Sequence, residues 1–332
     1  MRYPSGHELP PEQDRANRKA VRLEWISLVY WLTAIVLLYF TLGQSQAMKA
    51  AWVEDILALF PPVAFLIASR FRHRAPSGRF PWGYHRAITV AYAVATVALF
   101  ALGAYIAIDS IEKLLRGTHP PIGMVEILDI QVWLGWLMLA ALAYSGIPPV
   151  IFGRMKRPLA EALHDKVLFA DAKMNRADWL TAGAAAAGVI GIGLGLWWAD
   201  SVAALVIAAD ILHDGQRYLR ESISDLMDEW PRTYDEAKPH PAAERVKEEI
   251  AAVPWIAEAA VRMREHGHTI TGDVWVVPVG TEEALVQRLE DLGERLRKLD
   301  WRVHDVVVAP VTSLEEVPED LRVEGRARRE SG

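Results

Sequence analysis

Six separate apolar runs, each near the length of a membrane crossing, constrain this chain more than any other feature. They lie at about 25–42, 51–69, 87–108, 130–152, 167–190 and 200–212. A helix rises about 1.5 Å per residue, so roughly 20 apolar residues cross a hydrocarbon core of about 30 Å. Trp197 and Trp198, between the fifth and sixth runs, suit a tight turn at the membrane–water boundary, where indole rings are enriched. The fifth run holds Gly183, four alanines from Ala184 to Ala187 and Gly188, with Gly191 just after it. So little side-chain bulk favours close helix–helix approach over lipid contact. Hydrophobic residues make up 52% of the 332, and the charged ones are pushed into the loops and ends.

Basic residues orient the bundle. Segments 1–24, 70–86 and 153–166 carry fourteen Lys and Arg; segments 43–50, 110–127 and 197–199 carry three, Lys49, Lys113 and Arg116. The positive-inside bias places the first set, and both termini, in the cytoplasm. No apolar signal-peptide core precedes the first run, which itself serves as the targeting signal to the cell inner (cytoplasmic) membrane as a multi-pass protein. With no cysteine, disulfides and thiolate metal sites are excluded. No basic stripe accompanies a nucleic-acid-binding motif, so no nucleic-acid partner is expected. Nucleophile–base pairs, phosphate loops and HExxH spacing are missing, which points to a transporter rather than an enzyme.

After Arg217 the pattern becomes that of a soluble domain. A helix is expected at 242–253, strands at 257–264 and 269–279, a charged helix at 282–299 and a last strand at 302–309. His266 and His268 fall in the turn between the first two strands, read as a solvated turn. The fold class is therefore an α-helical membrane protein with six transmembrane helices and a C-terminal cytoplasmic α+β domain, αββαβ and ferredoxin-like. Its parts are a cytoplasmic N-terminal tail at 1–22, a transmembrane domain at 23–216, a linker at 217–240, the αββαβ domain at 241–312 and a disordered tail at 313–332.

Ionisable residues inside a membrane span are costly and mark pathways or pair with one another. Span 2 holds Glu54 and Asp55, followed by Pro61 and Pro62; span 5 holds Asp171, Lys173, Asn175 and Asp178. At 100° per residue, Asp171, Met174, Asn175 and Asp178 share one helix face and Lys173 points away. With Glu54 from a neighbouring helix they form an oxygen-rich set suited to a hard or borderline divalent cation. Carboxylates also accept protons, so the set could exchange a metal ion for protons. Asp171 has a second reading, at the cytoplasmic interface beside Lys166 or Lys173, and Met174 equally suits helix packing. Asp178 lies deepest. Glu54 and Asp55, being adjacent, cannot face the same way. The proline pair frees backbone carbonyls and makes a flexing point.

The order of these features resembles the cation diffusion facilitator family, from about residue 23 to 310. Arg79, Phe80, Pro81, Trp82, Gly83, Tyr84, His85, Arg86 and Ala87 resemble the family's aromatic-Gly-x-x-Lys/Arg-Ala entry into span 3. Ala170 and Asp171, with Met174 and Asp178, resemble its Ala-Asp-x-x-His/Asp-x-x-x-Asp site. Ala199–Asp200, and Ser224 through Asp228, resemble its span 6 and the exit to the soluble domain. The resemblance implies a homodimer joined through the cytoplasmic domain, exporting Zn²⁺, Fe²⁺, Mn²⁺ or a similar ion against protons, with no tightly bound cofactor. It also implies two ligands each on spans 2 and 5, spaced i, i+4: here Glu54 and Ala58, then Met174 and Asp178. Two of the four positions keep a carboxylate; Asp55, Asn175 and Asp171 are the residues that can make up the set. The alternatives are a non-transporting or regulatory relative that keeps the fold, or a transporter of a different solute.

Overall fold

The computed structural model describes residues 9–71, 78–80, 86–118, 122–127, 129–235, 237–266, 269–279 and 284–325. The centre of the span 3 entry motif, 81–85, and the turn residues 267–268 lie outside these. The described chain forms two compact units, one made of 15–69 with 87–223, the other chiefly of the segment from Ser224 onward.

The first unit is helical. Helix α1 runs over Pro11–Thr41, α2 over Gln46–Leu57, α3 over Phe60–Phe71, α4 over Arg86–Leu115, α5 over Leu134–Leu163, α6 over Lys166–Gly193 and α7 over Ala199–Leu226. Three described helical stretches are long and apolar enough to cross a membrane: Pro11–Thr41, Gln46–Ile67 and Leu134–Leu163. Helices α4, α6 and α7 have 30, 28 and 28 residues, a rise of about 42–45 Å each at 1.5 Å per residue. Polar positions such as Asp210 and Asp214 interrupt the apolar character of α7.

Each helix end has a local cause. Pro11 at the start and Glu12 and Asp14 in the first turn suit the N-terminus of α1, where N–H groups are unpaired and the dipole is positive. Helix therefore begins well before the expected tail ends at residue 22. Ala16 and Ala20 keep that extension seated against Phe65, Ala160, Leu163 and Leu168. Ser45 caps α2, its hydroxyl accepting from the Met48 N–H at 3.1 Å. The helix of span 2 breaks after Leu57. Pro61 and Pro62 have no N–H to offer the carbonyls of Leu57 and Ala58, so the ladder stops there and α3 starts afresh at Phe60.

A similar gap in α5 is filled from outside. Pro148 and Pro149 leave the carbonyls of Tyr144 and Ser145 without helical donors. The Tyr30 hydroxyl of α1 is shared between those two carbonyls, at 2.8 Å from that of Ser145. Helices α5 and α6 form an antiparallel pair, turned at His164 with φ 48° and restarted by Asp165, whose carboxylate accepts from the Leu168 N–H at 2.9 Å. Gly146 makes their close approach possible, since a Cβ there would lie 2.5 Å from the Ala182 Cβ. A hairpin of β1, Met124–Ile127, and β2, Ile130–Trp133, precedes α5. The fourth apolar run thus begins in a strand: Ile130, Val132 and Trp133 favour extended backbone, and Asp129 takes the turn with φ 63°.

In the second unit α8 is Pro241–Ala251, β3 Ile256–His266, β4 Thr269–Pro278, α9 Leu285–Lys298, β5 Val303–Pro310 and β6 Arg322–Glu324. The sheet order is β5-β4-β3-β6; β3 and β4 pair antiparallel, and α9 crosses to bring β5 parallel to β4. Val246 and Ile250 of α8 and Leu292 and Leu296 of α9 pack with Val261, Val274 and Val276 of the sheet into one apolar core. The αββαβ order is present. Two expectations are corrected. The supposed linker at 217–240 is helix as far as Leu226, because Gly215, Tyr218 and Ser222 remain buried along α7. The supposed disordered tail at 313–332 contains β6, which pairs with Glu258, Ala259 and Ala260 along the free edge of β3.

Candidate cation site

Helix α2 carries Glu54 and Asp55 as consecutive residues, so about 100° separates their side chains and they meet different neighbours. Glu54 turns to α6, where the Thr181 hydroxyl donates to its Oε1 at 3.0 Å. Asp55 turns to α5, where the Ser145 hydroxyl is shared between its two oxygens at 2.9 and 2.7 Å. One turn from Thr181 on α6, Asp178 is 9% exposed. Glu54 Oε2, Asp178 Oδ2 and Asn175 Oδ1 are buried with no hydrogen-bond partner among the described residues. Buried acceptors are rarely left so.

Thr181 thus brings Glu54 of α2 to the part of α6 that carries Asp178, with Asn175 one turn further along the same face and Asp55 turned to α5. Among the described residues no three His, Asp or Glu side chains are close enough together to grip a metal ion in this arrangement.

The remaining expected ligands sit elsewhere. Asp171 is drawn into an ion pair with the Lys156 ammonium of α5, which also donates to Glu24 Oε2 of α1 at 2.9 Å. All three are buried, and Ser27 adds a hydroxyl donor to Glu24 at 3.2 Å. Lys156 is thus an ion-pair partner of Asp171 from a neighbouring helix; Lys173 is exposed, pointing away as its helix position requires. Asn175 donates its amide Nδ2 to the Asp171 carbonyl at 2.7 Å and to Asp171 Oδ1 at 2.8 Å. Met174 packs against the apolar core of the bundle. Ala58, at the break in span 2, packs with Trp31 and Ala34 of α1.

Sequence reasoning missed Ser145, Thr181, Glu24 and Lys156. Hydroxyls are common at contacts between membrane helices and carry no pattern of their own. In the sequence Glu24 and Lys156 fall in the polar segments flanking the spans, and only the inward extension of α1 and α5 buries them. Asp200, part of a recognised motif, has a clear structural task. Its carboxylate, at the start of α7, accepts from the Ser45 hydroxyl and the Gln46 N–H, each at 2.5 Å, and from the Ala47 N–H at 3.1 Å. It thereby holds the N-terminus of the helix that carries Glu54 and Asp55.

Comparison with known proteins adds a family. The cation efflux transmembrane domain family matches residues 25–227. Manganese efflux system protein MneS of Bacillus subtilis (strain 168) is 24% identical over 268 residues, covering 81% of this chain and 86% of that protein. Uncharacterized transporter YdbO of the same organism is 25% identical over 197 residues, 59% of this chain and 64% of that protein.

Proposed function

From the premise that this chain belongs to the cation efflux family, we propose that it carries Mn²⁺ out of the cytoplasm in exchange for protons. The observation that carries the choice of ion is the donor set of Glu54, Asp55, Asn175 and Asp178. Three buried oxygens in it have no hydrogen-bond partner among the described residues. Carboxylate and amide oxygens suit Mn²⁺ better than Zn²⁺, which favours His and Cys. The relative MneS is itself a manganese efflux system protein. The carboxylates serve twice: deprotonated they hold the ion, and after its release they take up protons for the return.

Six crossings by α1, α2 with α3, α4, α5, α6 and α7, with both termini in the cytoplasm, fit the helix lengths and the basic inner segments. The site lies between span 2 and span 5. The break between α2 and α3 supplies the flexing point that lets Glu54 and Asp55 close on Asp178 and Asn175. The C-terminal αββαβ domain pairs with that of a second copy. The test is a metal-by-metal screen of purified protein in vesicles of bacterial lipid, with Mn²⁺, Fe²⁺, Zn²⁺ and Co²⁺ each driving proton movement. Mn²⁺ should give the largest response and Asp178→Ala should abolish it. Equal flux in Asp178→Ala, or a Zn²⁺ response exceeding that of Mn²⁺, refutes the proposal.

A further inference from the structure

A planar amide offers a cation opposite faces of its chemistry: the oxygen binds it and the NH2 repels it. Which branch Asn175 presents is therefore decisive, and it is fixed by what surrounds the other branch. Both of its amide hydrogens are directed at Asp171, one to the backbone carbonyl at 2.7 Å and one to carboxylate Oδ1 at 2.8 Å. Both acceptors are oxygens, so the NH2 is the branch that meets them. Asn175 is 1% exposed, so no bulk water competes, and its Oδ1 is the branch without a hydrogen-bond partner among the described residues. It stands on the helix face it shares with Asp178, one turn away.

Asp171 is held from its other oxygen by Lys156. Its ammonium, itself fully buried, donates to Asp171 Oδ2 and to Glu24 Oε2, while Ser27 braces Glu24. The four residues come from α1, α5 and α6. They make no use of the free oxygens of Glu54 and Asp178, and a buried ion pair of this kind is weak evidence for a stabilising role.

We propose that Glu24, Lys156 and Asp171 are positioning residues that lock the Asn175 amide with its oxygen toward the cargo. The inference rests on Asn175 being a cargo ligand, as proposed above. In Asp171→Asn the single oxygen at 171 goes to Lys156 and its new NH2 faces Asn175. Asn175 must then turn its own oxygen to that NH2 and present its NH2 to the cation. A carboxylate at 175 has no wrong face: one oxygen accepts from the amide at 171 and the other remains for the cargo.

The experiment measures Mn²⁺-driven proton flux in proteoliposomes as KM and kcat. Asp171→Asn should raise KM about tenfold with little change in kcat, and Asp171→Asn/Asn175→Asp should return KM to within about threefold of the parent. A merely structural loss would not be rescued by a second change at the cargo site. Unchanged KM in Asp171→Asn overturns the positioning role, as does failure of the double variant to recover. Asn175→Ala separates the two readings. A raised KM there upholds Asn175 as a ligand whatever Asp171→Asn does, and an unchanged KM overturns the ligand and, with it, the device. If Asp171→Asn does not insert, Lys156→Gln replaces it, with the same rise in KM expected and an unchanged KM counting against the proposal.

Discussion

Replacing Asp200 by Ala removes one acceptor from three donors at a buried helix start. Two of them, the N–H groups of Gln46 and Ala47, are among those a helix cannot pair internally, and they are held at 2.5 and 3.1 Å. The third, the Ser45 hydroxyl at 2.5 Å, can rotate away and keeps its task of accepting from Met48. An orphaned buried N–H costs about 1–2 kcal/mol, and losing a charge-assisted hydroxyl bond about 1.5 kcal/mol. The total is about 4 kcal/mol, or nearly three decades in the folded-to-unfolded ratio. Asp200→Asn keeps one oxygen but sets an NH2 against donors, for about half that loss. Denaturant unfolding of the detergent-solubilised protein, followed by tryptophan fluorescence, reads the change as a lower midpoint at constant slope. Ser45→Ala alone should cost about 1 kcal/mol, the usual value of a cap, and should add to Asp200→Ala by less than its full amount because the two share a bond. The functional corollary is narrow. Gln46 precedes Glu54 by eight residues, about 12 Å along the axis at 1.5 Å per residue, so the cap anchors α2 from a distance. Variants that remain folded should keep Mn²⁺ selectivity. An Asp200→Ala protein within about 1 kcal/mol of the parent would refute the account of this carboxylate.

Further expectations concern the helix breaks and close crossings. Pro61→Ala/Pro62→Ala restores two N–H donors to span 2 and should raise the unfolding midpoint while lowering kcat several-fold, measured on the same preparation. Tyr30→Phe leaves the carbonyls of Tyr144 and Ser145 without their shared hydroxyl and should destabilise the bundle by about 1–2 kcal/mol by denaturant titration. Gly146→Leu forces a side chain where even a Cβ lies 2.5 Å from Ala182, so α5 and α6 must part and the folded yield in detergent should collapse. Thr181→Val removes the donor to Glu54 Oε1 at 3.0 Å and should shift the Mn²⁺ KM by several-fold without loss of folded protein, as read in vesicles.

Long-range patterns were the legible part of this fold. Apolar runs located the helices, and alternation located the two long strands and their order with α8 and α9. Ends were less legible, since they depend on partners distant in sequence. Ala16 and Ala20 keep α1 helical against Phe65 and Leu163, and Tyr218 and Ser222 do the same for α7 against its own bundle. The site divided similarly. The burial of Asp178 follows from its depth in a span, and the parting of Glu54 and Asp55 from their adjacency. Nothing local told that Lys156, counted among fourteen inner basic residues, would lie fully buried between two carboxylates. Its charge was visible in the sequence, whereas its surroundings are a property of three helices together.

The short strand β6 changes what an independent C-terminal domain would be. The 322–324 segment pairs with Glu258, Ala259 and Ala260, and the Gly325 N–H continues the seam to the Ala257 carbonyl at 3.0 Å. A polypeptide cut at 312, where composition alone sets the boundary, would retain every large element of the sandwich. It would also expose a row of unpaired donors and acceptors beside Val261, ready to template another strand. Solubility of the isolated module then depends on three residues that look like dispensable tail.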